Sequence, residues 1–296
     1  MSNNWFDRIS DLCVKLKSKI MKVLVIGATG MLAKPVIGQL AKQGFDLRLF
    51  SRSITPSMFP EKFEIVKGDV FNPSDLQKAV HGCDAIHISL SKISEFRATE
   101  AIIKAAQQNS VGLISYVSGC TVAEENRWFP MVDEKYRAEQ AIIQSGIPYL
   151  IFRPTWFFES LDLMIRNGKA MMIGSQPNPY RWIAADDFAS MIAEAYKKQE
   201  IRNRIIYALG PEYYYMKNLL LKYGKHLHPE IKSVSVTPIW LIKLIAGMTG
   251  KKELKMIASM FSYFEKVKEP RHVEDANTKL KKPETNFDKW LKSKKK

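Results

Sequence analysis

The tetrapeptide Gly27-Ala28-Thr29-Gly30 follows directly on the apolar run 22–26, and Met31-Leu32-Ala33 carries the chain on from it. A first glycine permits a sharp exit from a strand. A second lets an anion approach the backbone N–H groups at the start of a helix, where the helix dipole favours negative charge. A small residue at Ala33 lets that helix lie close on the sheet. This spacing suits the holding of a pyrophosphate, and so of an NAD(P) dinucleotide, by Gly27, Thr29, Gly30, Met31 and Leu32. A tight turn with no ligand is the alternative use of the same glycines. The next apolar run closes as Leu49-Phe50-Ser51-Arg52-Ser53. Sites that prefer NAD place an acid there for the ribose hydroxyls, whereas an arginine accommodates a 2′-phosphate. Arg52, with Ser51 or Ser53, therefore predicts NADP(H) as the preferred cofactor, with NAD(H) also admitted. Gly68-Asp69-Val70 follows the third run and is expected to border the adenine ring, and Ser89 ends the fourth.

Strand-like and helix-like segments alternate from Lys22 to Arg153, the pattern of a parallel sheet covered on both faces. Strands are expected at 22–26, 46–50, 63–66, 85–90, 112–117 and 148–152. Helices are expected at 30–44, 74–80, 95–108 and 132–145. Beyond Arg153-Pro154 the regularity breaks into helices at 186–198, 213–225, 239–248 and 253–264, with short strands near 205–209 and 233–236. The fold class is thus α/β, a Rossmann-type doubly wound parallel sheet with a smaller C-terminal α/β lobe over the carboxyl ends of the strands. The corresponding division is an amphipathic extension (1–20), a Rossmann domain (21–155), a substrate-side lobe (156–270) and a basic C-terminal segment (271–296). Trp156, Phe157 and Phe158 suit a substrate pocket and a core equally. Asp186-Asp187 has the look of a metal pair, but helix N-capping by Asp186 is the simpler use, and no metal site is expected. Tyr213-Tyr214-Tyr215 carries no nucleic-acid signature around it, so no specific nucleic-acid partner is expected.

The net charge of +15 is uneven: from Tyr215 onward there are 19 Lys/Arg against 8 Asp/Glu. Such a tilt speaks to solubility or to association with anionic partners, not to mechanism. Three scattered cysteines, Cys13, Cys83 and Cys120, make no disulfide framework, which fits a reducing, cytoplasmic setting. No apolar run reaches the length of a membrane span, and Pro238 to Met248 reads as a packed helix. Within residues 1–20, Trp5, Phe6, Ile9, Leu12, Cys13, Leu16 and Ile20 recur at helical spacing with basic residues between. That segment, with the basic tail, is a candidate for peripheral contact with a membrane or a protein partner. Docking on its own domain, or translation starting at Met21, are the competing readings.

Taken in order and spacing, these residues resemble the short-chain dehydrogenase/reductase superfamily, in its atypical, NmrA-like branch. The likeness runs from Met21 onward through Gly27–Ala33, Gly68-Asp69, Lys135 with Glu139, Arg153-Pro154, Ile183–Ala189, Gly210-Pro211-Glu212 and Phe287–Leu291. It implies that Lys135 and Pro154 border the nicotinamide and its ribose. It also implies that Ser118 orients the substrate's accepting group. In catalytic relatives a tyrosine four residues before the lysine supplies the proton, and here that position is Met131. Tyr136 is rotated about 100° away on the helix and does not replace it. Two readings follow from the resemblance. One is an NADP(H)-dependent reductase of a small or medium organic substrate, in which Lys135 binds ribose and itself serves as acid or base. The other is a non-catalytic redox sensor or assembly and accessory protein. Neither monomer nor homodimer is favoured.

Overall fold

The structure, a computed structural model, describes residues 20–59, 63–90, 94–271 and 279–294. The segment 1–19, where the amphipathic pattern was noted, lies outside the described residues. Strand β1 (Lys22–Ile26) is flanked by β2 (Asp46–Ser51) and β4 (Ala85–Ile88). With β3 (Glu64–Lys67), β5 (Leu113–Val117), β6 (Tyr149–Pro154) and β9 (Arg204–Ala208) they form one parallel seven-stranded sheet of order β3-β2-β1-β4-β5-β6-β9. Between β1 and β4 the order reverses. Crossovers leave there in opposite directions and open a crevice at the strands' carboxyl ends.

The period-2 alternation of each strand sends one set of side chains to each face. Val23, Val25, Leu47, Leu49, Leu113, Leu150 and Phe152 meet α1 (Ala33–Lys42) and α5 (Ala185–Lys197). Leu24, Ile26, Phe50, Ile86, Ile88, Ile114 and Tyr116 meet α2 (Pro73–Val80), α3 (Glu95–Gln108) and α4 (Pro130–Gln144). Both faces are dry, as an all-parallel sheet requires.

The sheet does not end at residue 155. β9 pairs in parallel with β6, and α5 packs on α1, so 185–208 belong with the Rossmann layer instead of the following lobe. The lobe is built from a 3-10 segment (Phe158–Met164), the sheet β10-β8-β7, and helices α6 (Met216–Leu227), α7 (Ile239–Thr249), α8 (Lys252–Lys266) and α9 (Phe287–Ser293). In that sheet β7 is Ile165–Arg166, β8 Lys169–Ile173 and β10 Val234–Thr237. Phe158, Trp182, Leu220, Tyr223, Phe287 and Trp290 fill its core. The C-terminal segment is therefore no free tail up to Ser293: α9 buries Phe287 and Trp290 and leaves Lys289 and Lys292 in solvent.

Two expectations are corrected. Asp186 does not cap α5. It is exposed in the first turn, while the Glu159 carboxylate accepts from Ala185 N at 3.1 Å. Its neighbour Asp187 instead accepts from Glu284 N, Thr285 N and Thr285 Oγ1, fastening the C-terminal segment to α5. Helix α7 is not packed all round either, since within it only Ala246 is buried.

One buried polar chain lies between the sheet and α5. His87 Nδ1 lies 2.7 Å from Ser115 Oγ, which lies 2.7 Å from Tyr196 Oη, and His87 Nε2 has no hydrogen-bond partner among the described residues. Burial pushes the imidazole down to about 4. The unfolded chain thus takes up this proton near pH 6.5 and the folded one only near 4, so stability is complete above about pH 6.5 and is lost as pH falls towards 4. His87 alone is expected to remove about 2 kcal/mol between pH 7 and pH 5. Denaturant melts of wild type and His87→Gln at the two pH values check this: the pH dependence should shrink by that amount in the variant.

Candidate cofactor and active site

The glycine turn sits in the crevice where the sheet order reverses. Gly27 N and Ala28 N both donate to Phe50 O, and Gly30 N donates to Gly27 O, which folds the chain back under the end of β2. Gly27 has φ +83°, and a Cβ there would lie 2.0 Å from Ser89 O. Only glycine lets the ends of β1 and β4 come so close. Helix α1 begins at Ala33, later than the expected Gly30, so Gly30 to Leu32 form a turn ahead of its first amides. Ala33 is fully buried against the sheet, as its size allows.

A cleft of about 930 Å³ opens over this turn and is lined by Gly27, Thr29, Gly30, Met31, Arg52, Asp69, Val70 and Ser89. All eight were expected to hold the cofactor. Ser51 and Ser53 flank Arg52 there, and Thr29 Oγ1 lies 2.9 Å from Ser51 Oγ. Gly68 leaves no room for a Cβ, which would meet the Asp75 side chain at 2.7 Å. Asp75 in turn accepts from Asp69 N at 3.0 Å, fixing the loop that lines this part of the cleft. Glu159, Asp162 and Leu163 of the 3-10 segment close the outer wall, a contribution the sequence did not reveal. A glycine turn ahead of a helix and the exposed Arg52 guanidinium suit the phosphates of a dinucleotide in charge.

A second cleft of about 270 Å³ continues from Gly30, Met31, Leu32 and Ser89 to Ser118, Lys135 and Pro154, with Val117, Thr155 and Phe157 between them. Lys135 Nζ donates to Glu95 Oε2 at 2.8 Å and to Val117 O at 3.3 Å. The same Glu95 oxygen accepts from Tyr116 Oη at 2.6 Å. Burial and the Glu95 carboxylate push the Tyr116 phenol well above its ordinary range and make it a weaker acid. Glu95 is 40 residues from Lys135 and carries no local signature; only the packing of α3 on α4 brings the two together.

Ser118 is also committed. Its hydroxyl donates to the fully buried Glu139, whose two oxygens accept from Arg153 Nε at 3.0 Å and Nη2 at 2.6 Å. Arg153 Nη1 reaches Tyr207 Oη at 2.8 Å. On the far side Thr155 Oγ1 donates to buried Glu269, which also holds Arg181, and this ties the end of α8 to the end of β6. Met131 stands exposed on the first turn of α4, outside the residues lining either cleft. Of the aromatics left open, Phe157 lines the second cleft. Phe158 is core, and Trp156 stacks on Trp182 and meets Phe264 at a tilt. Among the described residues no group of three or more His, Cys, Asp or Glu is placed to hold a metal ion.

The family model described as NAD(P)H-binding matches residues 27–199, more than half of the chain, and takes in the residues named above as lining the two clefts. The chain belongs to this NAD(P)H-binding family. Photosystem II assembly factor Ycf39 from Trieres chinensis is 24% identical over 245 residues, covering 78% of this chain and 76% of that protein. Across several Ycf39 proteins the match spans between about half and three quarters of their length. The NADP(H) complex of triphenylmethane reductase from Citrobacter superposes with TM-score 0.73 at 17% identity, covering 92% of this chain and 99% of that one. The NADPH complex of a quinone oxidoreductase from Escherichia coli does so with TM-score 0.72 at 18% identity, covering 91% and 98%. At these identities the two structures establish the shared Rossmann-type fold, as the resemblance to short-chain reductases required.

Proposed function

We propose that this NAD(P)H-binding protein is an NADP(H)-dependent reductase whose acceptor takes a hydride without an acid from the protein, such as a quinone or a conjugated organic cation. The observation that carries this reading is the second cleft. Among the described residues its one ionisable lining residue is Lys135, engaged by Glu95, while Ser118 is spent on Glu139 and Met131, at the position of the relatives' tyrosine, lies outside the cleft. When bound, the reduced nicotinamide supplies the hydride. Reduction of a simple ketone leaves an alkoxide that needs a positioned acid. A reduced quinone takes its proton from water, and a reduced carbocation needs none. Lys135 then holds and orients the ribose, and Phe157 and Pro154 supply an apolar wall for a flat acceptor. The named substrates of the two superposed reductases belong to these chemical classes.

The test is NADPH consumption with a panel of naphthoquinones and triarylmethyl dyes, for wild type and Lys135→Met. Turnover is expected with at least one acceptor and should fall roughly a hundredfold in the variant. Tight NADPH binding with no oxidation by any acceptor would favour the second reading, a cofactor-responsive assembly protein. That reading is favoured by the Ycf39 match, which covers most of the chain.

Arg52 lies beside Ser51 and Ser53 at the outer end of the larger cleft, with no acid at the β2 terminus. We infer a preference for NADPH over NADH. Losing a charged hydrogen bond to a 2′-phosphate costs about 1.5–3 kcal/mol. Arg52→Ala should therefore weaken NADPH binding roughly 10- to 100-fold by calorimetric titration and leave NADH unchanged.

A further inference from the structure

Helix α7 is apolar on the side that faces water. At 100° per residue, Trp240, Leu244 and Met248 fall on one stripe, and Leu241 and Ile245 continue it on one flank. Trp240 is 65% exposed, Leu244 52% and Met248 79%, and Met256 on the next helix is 43% exposed. Ile239, Ile242 and Ala246 fall on the opposite face, where Ala246 is buried and the two isoleucines are partly so. The helix thus has an inner seam for its own lobe and a second apolar face that nothing among the described residues covers.

The surroundings of that face are cationic. Lys243 borders the stripe, Lys251, Lys252 and Lys255 crowd the α7–α8 turn, and Glu253 is the only acid between Ile231 and Ala258. All four lysines are exposed. Aliphatic side chains and an outward tryptophan on one face, with lysines at its border, match the zone where acyl chains meet anionic headgroups. Lysine stems can lie along the apolar surface while their charges reach the phosphates.

Length decides the mode. Eleven residues make a helix about 16 Å long, half of the ~30 Å hydrocarbon core, so it can lie in the interface but not cross it. Area argues against a second copy of the chain. A stripe about 16 Å by 10 Å offers roughly 160 Å², well short of the ~800 Å² per partner of a stable dimer. The cationic border would also meet itself across a two-fold axis.

We propose that the α7–α8 hairpin is a monotopic docking element that inserts Trp240, Leu244 and Met248 into the surface of an anionic lipid bilayer. The proposal does not depend on the reductase reading. The hairpin's far end is anchored beside the second cleft, because Glu269, just past α8, holds both Thr155 and Arg181. Docking therefore also fixes which end of the protein faces the membrane.

The test is flotation of the full chain with vesicles of phosphatidylcholine alone or with a third of phosphatidylglycerol. Wild type should float with the anionic vesicles only. The variant Trp240→Ser/Leu244→Ser/Met248→Ser should lose at least ~tenfold in bound fraction. It should keep its NADPH affinity and melting temperature, since all three side chains point to solvent. Quenching of tryptophan fluorescence by brominated acyl chains should appear in wild type and disappear in Trp240→Phe. Flotation of the triple variant equal to wild type would overturn the proposal by placing the contact elsewhere, for example in residues 1–20. Failure of wild type to float would overturn it too, as would a dimer in sedimentation that the triple variant lacks.

Discussion

Gly27→Ala is expected to abolish NADPH binding and to destabilise the chain by at least ~3 kcal/mol, the sum of a left-handed backbone cost and a steric one. The backbone term follows from φ +83°, which disfavours any side chain by about 1–2 kcal/mol. The steric term is more serious. The new Cβ would lie 2.0 Å from the backbone carbonyl oxygen of Ser89, a residue whose N–H donates to Ile26 O at 3.0 Å. No flexible side chain can swing away, so the ends of β1 and β4 must part. Both line the larger cleft, and the amides at the turn would move with them. Loss of affinity by more than a hundredfold should accompany a lower denaturant midpoint. Gly38→Ala is the matched control. It lies inside α1, a Cβ there meets nothing within 4 Å, and the change should stabilise by up to ~1 kcal/mol without touching affinity. If the two variants behaved alike, the cleft would not depend on the close approach at Gly27.

The contrast between these glycines shows what kind of information the sequence carries. Gly27 and Gly30 are legible because strand, turn and helix follow one another locally, and the pattern of apolar residues marks where each begins. The buried strands were legible for the same reason. Glu95 was not. It reaches Lys135 only because α3 lies on α4, and nothing in Glu95-Phe96-Arg97 points across 40 residues. Strand β9 was located near its true bounds but not in the sheet, since its place beside β6 is set by α5 crossing over α1. The β7–β8 hairpin was missed although its signal was present. Asn167-Gly168, both with positive φ, is the pair that a two-residue hairpin turn demands. Helix α7 failed differently. Hydropathy reports that a segment is apolar but not what it faces, and a helix apolar all round is buried in a core or placed against some other apolar medium.

The largest loss of stability should come from Glu139→Ala, because the effect combines a broken ion pair with a stranded charge. Glu139 is fully buried on α4 and is held by three donors: Ser118 Oγ, Arg153 Nε and Arg153 Nη2. The carboxylate and the Tyr207 hydroxyl hold the mostly buried Arg153 guanidinium firmly in its charged form. Removing Glu139 leaves that charge desolvated and unpaired, which costs about 3–5 kcal/mol in comparable sites. Melting should fall by roughly 5–15 °C. Glu139→Gln keeps the shape and one acceptor and should cost clearly less. Glu139→Leu/Arg153→Met removes both charges and should recover most of the loss, since replacing a buried pair by apolar groups of similar volume is often close to neutral. Recovery of stability need not bring recovery of function. Ser118 and Pro154, at the ends of β5 and β6, both line the second cleft, and the Glu139–Arg153 pair joins those two ends through Ser118 and the strand-borne arginine. A double variant that melts like wild type but binds NADPH with altered affinity would show the pair positioning the cleft. One that is wild type in both respects would reduce the pair to a stability element that apolar packing can replace.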